Sequence, residues 1–418
     1  MSTAEALSRH PRSQEASTSS HRLLSLDCFR GLLVMGMVLV TNAGSWSYVY
    51  WPLKHADWNG ITPTDLIFPS FLFVCGLSMT YSFPARARRG QGRGLLLLHL
   101  VERSLLLIVL GFFLNGFPLF DMHNLRIPGI LQRIGLCCLI AGGLYLFTAP
   151  VFRQSGARPP ERTAPSLLWV VASIPILLIG YWMVMTLVPV PGYGAGHLDM
   201  AGNLGAYIDR SLMHTNHLWF WGGQMWDPEG LLSTLPATAN VLLGILAGVL
   251  LQSSTARSRK LAWLVVGGVV LMLVGLALSP VIPINKKIWT PSFMLFSGGF
   301  SLLAFALLHW LIDGFSDGFS GDAKDGLKGW RRVLIPALVF GSNAILGFAL
   351  AQMLNPLFGM IHLAGSDGKT VDVPGFFFQT FVGALGPWNA SLAYAILFVM
   401  LNLLLLWPLF SRQIRIRL

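Results

Sequence analysis

The sequence predicts an all-α integral membrane protein with about ten transmembrane helices. Of its 418 residues, 54% are hydrophobic and only 11% are charged, which is less than half the charged share of ordinary soluble domains. The apolar residues form continuous runs of about 18 to 25 residues, the length that a helix needs to cross a bilayer core. A transmembrane β-barrel would instead show shorter segments with alternating polarity.

Ten such runs occur along the chain, and short polar connections or turns rich in glycine and proline separate them. We predict transmembrane helices at about residues 29–50, 66–83, 95–117, 127–152, 167–188, 231–251, 261–282, 288–312, 333–357 and 390–410. The largest predicted outer loop covers about residues 189–230. Residues 358–389 contain the apolar stretch PGFFFQTFVGALGPW, which we expect to lie along the membrane surface or to re-enter the membrane.

The 29 Lys and Arg residues indicate how the chain is oriented. Alternate connections, together with both terminal segments, hold most of them, whereas the intervening connections hold only Lys54, Arg126, Arg210, Lys286, Lys287 and Lys369. Because basic residues concentrate in cytoplasmic loops, both termini are predicted to be cytoplasmic. The same bias accounts for the net charge of +11 without a nucleic-acid partner.

The chain divides into a short tail and one large domain. The first 21 residues are polar and lack the apolar core of a secretory signal peptide. We therefore expect residues 1–21 to form a disordered cytoplasmic tail and residues 22–418 to form a single transmembrane domain. His214 and His217 have a spacing that one helical face can bring together, but no further ligand signal accompanies them, so no metal site is predicted.

Polar side chains within the predicted helices are costly to bury, so each needs a partner or a function. Asp65 opens the second predicted helix, where the free amides and the helix dipole favour a carboxylate. Arg133 lies well inside the fourth and requires carboxylates, carbonyl groups or a bound anion. Asn42 ends the first, where it either caps the helix or faces His55. The stretch PINKKIWTPSFMLFSGG places further polar groups at the outer end of the eighth helix: Asn285, Lys286 and Trp289.

His55 lies in the outer sequence LKHADWNG. An isolated histidine beside a membrane is often a surface group, and the spacing of this stretch is compatible with that interpretation. A histidine is also suited to taking a proton from an amine or hydroxyl nucleophile, because its unperturbed pKa is near 6.5. The sequence contains no P-loop or HExxH motif that would assign a different chemistry.

Several blocks of the sequence together resemble a known family. They are RLLSLDCFRGLLVMGMVLVTNAGSW, LKHADWNGITPTDLIFPSFLFVCGLSMT, RIPGILQRIG, GNLGAYIDR, WDPEGLLSTLPATANVLLGILAG and PINKKIWTPSFMLFSGG. In content and order they are similar to the catalytic region of the heparan-α-glucosaminide N-acetyltransferase family. The animal enzyme's long lumenal N-terminal portion has no counterpart here, so the resemblance implies a bacterial, NagX-like member in the inner (cytoplasmic) membrane.

This resemblance implies transfer of an acetyl group from cytoplasmic acetyl-CoA to the amine of glucosamine, or of a related amino sugar, on the periplasmic side. It implies that His55 is the catalytic histidine, and we place the family's asparagine at Asn42, one position after the alternative Thr41. The matched blocks also contain the residues expected to bind acetyl-CoA or the sugar: Trp58, Asn59, Asp65, Arg133, Glu229, Asn285, Lys286 and Trp289. The animal relatives further suggest a homodimer in the lipid bilayer.

An inner-membrane permease for N-acetylglucosamine is the main alternative. Ten helices with polar interior groups are compatible with transport. No internal repeat of the kind that marks many secondary transporters is visible, however. The matched HADWNG block favours the acyltransferase.

Overall fold

A computed structural model describes residues 23–149, 166–313, 332–365 and 369–416. The predicted tail at residues 1–21, and the basic residues between 153 and 162 and between 324 and 331, lie outside this part of the chain. The helices are α1 (Leu24–Val40), α2 (Ile67–Ala87), α3 (Arg93–Gly116), α4 (Ile130–Thr148), α5 (Leu167–Leu187), α6 (Leu204–Met213), α7 (Thr234–Gln252), α8 (Arg257–Leu278), α9 (Pro291–Ile312), α10 (Ile335–Ser342), α11 (Ala344–Met360) and α12 (Val373–Ser411). The two short strands β1 (His362–Ala364) and β2 (Thr370–Asp372) pair as an antiparallel hairpin.

The helices confirm the predicted class of an all-α, multi-span membrane protein. Within the described ranges, eight helices are long and apolar enough to cross a bilayer, and α10 and α11 together make a ninth if they form one broken span. Helix α1 has 17 residues, which is at the lower end of the length required to span. Most predicted boundaries from the second helix to the eighth agree with the structure to within three residues, although α2 and α4 each end four residues from the predicted position and α8 both begins and ends four residues earlier than predicted.

The first helix differs from the predicted 29–50, because α1 runs from Leu24 to Val40. Two side chains take up carbonyl groups of its last turn: Thr41 Oγ1 donates to Met37 O at 2.8 Å, and Asn42 Nδ2 donates to Val38 O at 2.7 Å. Such local side-chain bonds compete with continued helix. The residues from 43 to 50 therefore form a loop, which leads towards His55.

The predicted helix at 333–357 is also corrected, because α10 and α11 meet at an angle of 88°. Asn343, between them, has non-helical backbone angles (φ −135°, ψ 50°). Its side chain binds the C-terminal segment, where Nδ2 donates to Ile414 O at 3.0 Å and Oδ1 accepts from Ile416 N at 2.8 Å. These distant hydrogen bonds hold the bend in place.

The apolar stretch within 358–389 is helical and belongs to α12. The helix breaks at Gly386 (φ 73°, ψ 165°), directly before Pro387. A positive φ of this size suits glycine, which has no Cβ to clash with the backbone. The stretch is therefore a separate helical arm that leads into the last predicted span.

Close packing of α2 against α7 positions the polar residues near their first turns. A Cβ atom added at Gly76 would lie 1.9 Å from the carbonyl oxygen of Val241, and one at Gly244 would lie 2.0 Å from that of Phe73. Only glycine allows the two backbones to approach this closely. Since α2 follows the loop of His55 and α7 follows the loop of Glu229, this contact fixes both loops relative to each other.

Candidate active site

His55 is held by a buried carboxylate. Its Nδ1 lies 2.7 Å from Asp65 Oδ1, and Asp65 is 0% exposed. The other oxygen, Asp65 Oδ2, accepts hydrogen bonds from Ala56 N and Thr62 N, each at 3.1 Å, and from Thr62 Oγ1 at 3.0 Å. Asp65 therefore caps the turn that begins α2 and orients His55 at the same time.

The ring of His55 faces Asp65 as a donor, because an ionised carboxylate only accepts hydrogen bonds. The proton therefore lies on Nδ1, and the free lone pair lies on Nε2. No residue in the described ranges bonds Nε2, and the side chain is 41% exposed. This arrangement presents an accessible basic nitrogen in a fixed orientation.

Lys286 completes a cluster of three titratable groups. Its Nζ lies 3.4 Å from Asp65 Oδ1 and 3.1 Å from His55 Nδ1, so the ammonium group and the imidazole N–H face the same carboxylate oxygen. Burial and the charge of Lys286 lower the pKa of His55 below 6.5, and the hydrogen bond and charge of Asp65 oppose them. Burial also lowers the pKa of Lys286, against the charge of Asp65. His55 is therefore neutral at pH 7, as a general base requires.

Asn59 and Asn285 join the two loops that carry this cluster. Asn285 Nδ2 donates to Asn59 Oδ1 at 3.1 Å, and Gly60 N donates to Ile284 O at 2.8 Å. Asn285 Oδ1 is itself occupied by Ile288 N at 3.1 Å. Both asparagines were predicted to bind substrate, and the structure gives them bonds that hold the loops together.

Three tryptophans and a lysine from the loops around this cluster pack against one another. Trp58 Nε1 donates to Leu198 O at 2.9 Å, and its ring packs edge-on against Trp226 at a centroid distance of 5.0 Å. The Nζ atom of Lys287 lies 5.3 Å from the ring centre of Trp219 and 5.6 Å from that of Trp226. The sequence prediction included Trp58 but missed the other three residues.

Glu229 belongs to a second charged group that includes Arg126. Arg126 donates to both oxygens of Asp227, at 2.8 and 2.6 Å, and to Glu229 Oε2 at 2.5 Å. Burial opposes ionisation of Glu229, but the charges of Arg126, Arg133 and Lys286 outweigh it and hold the pKa of this carboxyl below its usual value. Glu229 is therefore a carboxylate that pairs with Arg126 and lies close enough to Arg133 and Lys286 to be stabilised by their charges.

Arg133 and Trp289 form a third, deeper group, with Asn240 as a member that the sequence prediction missed. Arg133 is 1% exposed, and its Nη2 donates to Gly230 O at 2.9 Å and to Ser233 Oγ. Its guanidinium carbon lies 5.2 Å from the ring centre of Trp289. Trp289 Nε1 donates to Asn240 Oδ1 at 3.1 Å.

Asn42 bonds to its own helix end. Its Nδ2 donates to Val38 O at 2.7 Å and to Thr41 Oγ1 at 3.1 Å, which uses both N–H groups. Its Oδ1 is buried without a partner among the described residues. In this arrangement Asn42 offers an acceptor, whereas stabilisation of an oxyanion requires a donor.

The sequence was compared with known proteins. Residues 22–155 match the family model described as the catalytic region of heparan-alpha-glucosaminide N-acetyltransferase. The heparan-alpha-glucosaminide N-acetyltransferase of Homo sapiens is 32% identical over 346 residues, which cover 72% of this chain and 50% of the human protein. The enzyme of the same name from Mus musculus is 32% identical over 355 residues, covering 75% of this chain and 52% of its own.

The chain belongs to the heparan-alpha-glucosaminide N-acetyltransferase family. It spans about half the length of the curated relatives that it matches. The residues matched by the family model include His55, Asp65 and Arg133, whereas Glu229 and Lys286 lie beyond them. The structure therefore connects the matched region with residues that approach it from later in the chain.

Proposed function

We propose that this protein is a membrane N-acetyltransferase that moves an acetyl group from acetyl-CoA to the amine of glucosamine or a related amino sugar. The observation that carries the proposal is the orientation of His55, with Nδ1 bound to buried Asp65 and Nε2 accessible. Membership of a family whose named relatives are N-acetyltransferases supports the type of reaction.

His55 acts as the general base in this proposal. Nε2 takes a proton from the amine as its lone pair attacks the thioester carbonyl carbon and a C–N bond forms. The carbonyl π pair moves to oxygen, and its return breaks the C–S bond. The proton on the imidazolium passes to the departing CoA thiolate, which restores neutral His55. Asp65 stabilises the imidazolium while it exists, as the aspartate of a catalytic triad does.

Acetyl-CoA approaches from the cytoplasm and the sugar from the periplasmic side of a bacterial inner membrane in this proposal. The uneven distribution of Lys and Arg supports these sides, because the loops of His55 and Lys286 are among those with few basic residues. The exposed side of His55 then faces the compartment that holds the sugar.

A substitution of His55 tests the proposal. Purified protein in detergent is given acetyl-CoA and glucosamine, and release of CoA thiol is measured. We expect His55→Ala to lower kcat by roughly 10²- to 10⁴-fold, since it removes the proton acceptor. His197→Ala is the matched control, because His197 is also an exposed histidine beside a carboxylate, with Nδ1 3.4 Å from Asp199 Oδ2.

Full activity in His55→Ala would show that another group removes the proton. If the wild-type protein transfers no acetyl group but carries labelled N-acetylglucosamine into proteoliposomes without acetyl-CoA, the permease alternative is correct. Thiol release on the inside of oriented vesicles, with acetylated sugar outside, would support the proposed sides.

A further inference from the structure

Three buried N–H-bearing atoms beside Trp289 have no acceptor. Arg133 Nε, Arg133 Nη1 and Asn240 Nδ2 are without a hydrogen-bond partner among the described residues, although Arg133 is 1% exposed and Asn240 is 0% exposed. A buried donor left unsatisfied costs about 1–3 kcal/mol, and more when it is charged. Because both residues contact the same tryptophan ring, these three atoms indicate a site beside Trp289 for an acceptor group that is not part of the protein.

The orientation of Asn240 follows from chemistry. An indole N–H can only donate, so the atom of Asn240 that meets Trp289 Nε1 at 3.1 Å must be Oδ1. The amide nitrogen therefore points away from this bond as a free donor. The guanidinium group of Arg133 is also held in place, because its Nη2 donates to Gly230 O and Ser233 Oγ.

Trp289 is held in an unusual conformation where it contacts both residues. Its φ is 53°, in the left-handed region that residues other than glycine rarely adopt. Strain of this kind costs about 1–3 kcal/mol and is common at functional sites. Trp289 N donates to Lys286 O at 3.2 Å, so one tight turn carries both the lysine beside His55 and the tryptophan beside the donors.

The free donors lie deeper in the helix bundle than His55. Trp289 packs edge-on against Phe68, one helical turn beyond Asp65, at a centroid distance of 5.5 Å. Asn240 is six residues into α7, roughly 9 Å along its axis. An acyl donor that enters from the opposite membrane face therefore meets these donors on its way to His55, and its carbonyl oxygen can face them while its carbonyl carbon faces His55.

We propose that Arg133 and Asn240 bind the thioester carbonyl oxygen of the acyl donor and stabilise the oxyanion that forms when the amine attacks. This inference rests on the proposed acetyltransferase function and names the residues that bind its acyl group. The carbonyl oxygen accepts from Asn240 Nδ2 and from the free N–H groups of Arg133. The positive charge of Arg133 complements the negative charge that develops on the carbonyl oxygen. When the C–S bond breaks, this oxygen becomes a neutral carbonyl oxygen again.

Asn240→Asp is the sharpest test. It keeps an oxygen for Trp289 Nε1, removes the amide donor and places a negative charge where the oxyanion is proposed to form. We expect kcat to fall by roughly 10²- to 10³-fold, the loss seen when an oxyanion donor is removed. Arg133→Lys keeps the charge but loses the planar set of donors, so kcat is expected to fall here as well.

Asn402→Asp is the matched control for a new acid in a buried helix. Asn402 is 0% exposed and donates from Nδ2 to Phe398 O at 2.9 Å in α12. Each variant is checked by size-exclusion chromatography and thermal unfolding in the same detergent. If Asn240→Asp fails to fold, Arg133→Lys carries the test.

Binding measurements distinguish a contact with the acyl carbonyl group from contacts with the rest of acetyl-CoA. Dissociation constants for acetyl-CoA and CoA are measured by calorimetry, and the carbonyl stretch of acetyl-CoA labelled with ¹³C at the thioester carbon is recorded by infrared spectroscopy. We expect the variants to bind CoA with wild-type affinity and to show no preference for acetyl-CoA over CoA. In the infrared spectrum, the carbonyl band of bound acetyl-CoA should no longer shift to lower frequency.

Two results would overturn the inference while leaving the proposed function intact. One is a folded variant that keeps wild-type kcat and the carbonyl shift, in which case a water or ion satisfies the donors. The other is an equal loss of affinity for CoA and acetyl-CoA, which would mean that Arg133 and Asn240 bind a part of the molecule that both ligands share. Wild-type protein that binds no acetyl-CoA would instead refute the proposed function, and this inference with it.

Discussion

Replacement of Asp65 by asparagine is expected to reverse the tautomer of His55. Asp65 Oδ2 accepts from two backbone N–H groups and one hydroxyl, so the amide oxygen of an asparagine must occupy that position. The amide NH₂ then takes the place of Oδ1, facing His55 Nδ1 and Lys286. It donates to Nδ1, which moves the ring proton to Nε2 and removes the basic lone pair from the exposed side.

The size of the effect follows from these contacts. Loss of the correct tautomer lowers kcat roughly 10⁴-fold in a serine-protease triad, and we expect roughly 10²- to 10⁴-fold here, equivalent to about 2.7–5.5 kcal/mol. Removing the carboxylate also leaves Lys286 buried without its partner, and breaking such a pair typically costs about 3–5 kcal/mol of stability. Asp65→Asn is therefore expected to be both slow and less stable.

The pH profile gives an independent measurement. The unprotonated base is the active form, so kcat/KM falls as the pH decreases through the pKa of His55, which lies below 6.5 in the wild-type protein. Asp65 raises this pKa, whereas burial and Lys286 lower it. Without Asp65 the pKa drops further, and the acid limb of the remaining activity moves to lower pH.

Steady-state rates of thiol release between pH 5 and pH 8 measure both effects. Asp199→Asn is the matched control, since Asp199 is an exposed carboxylate whose Oδ2 lies 3.4 Å from His197 Nδ1. Wild-type kcat in Asp65→Asn, or an acid limb displaced to higher pH, would refute the role assigned to Asp65.

Two further substitutions test the surroundings of the site. Lys286→Met removes a charge that lowers the pKa of His55 while Asp65 remains, so the acid limb of kcat/KM should move up towards pH 6.5; an unchanged limb would mean that the lysine charge does not reach the ring. Gly76→Ala places a Cβ 1.9 Å from a backbone oxygen, and such overpacking should cost about 1–3 kcal/mol in thermal unfolding. Gly143→Ala is its control, because nothing lies within 4 Å of the added atom, and equal unfolding temperatures for the two variants would contradict the close contact of α2 and α7.

Hydropathy predicted most helices because the bilayer itself sets their length and composition. It did not predict where side-chain hydrogen bonds to the backbone end or bend a helix. The end of α1 depends on the hydroxyl of Thr41 and the amide of Asn42, and the bend before α11 depends on the bonds from Asn343 to residues about 70 positions later. Such contacts leave no trace in the apolar pattern.

The sequence predicted several residues of the candidate site but not what each of them contacts. The matched blocks contained His55, Asp65 and Lys286, which the structure brings together. Asn240 was missed, although an asparagine within an apolar run is costly enough to indicate a function. Arg126 was counted only as an outer cation, because its partners in the loop before α7 lie about 100 residues along the chain.

The bonds between Asn59 and Asn285 and between Gly60 and Ile284 have a consequence for biosynthesis. They join segments more than 220 residues apart, so the growing chain holds His55 and Asp65 long before it holds Lys286. The cluster of His55, Asp65 and Lys286 is completed only when the loop between α8 and α9 has been made and has closed on the first loop. A polypeptide that stops before the loop between α8 and α9 lacks Lys286, so the cluster forms only in chains that have been extended past this loop.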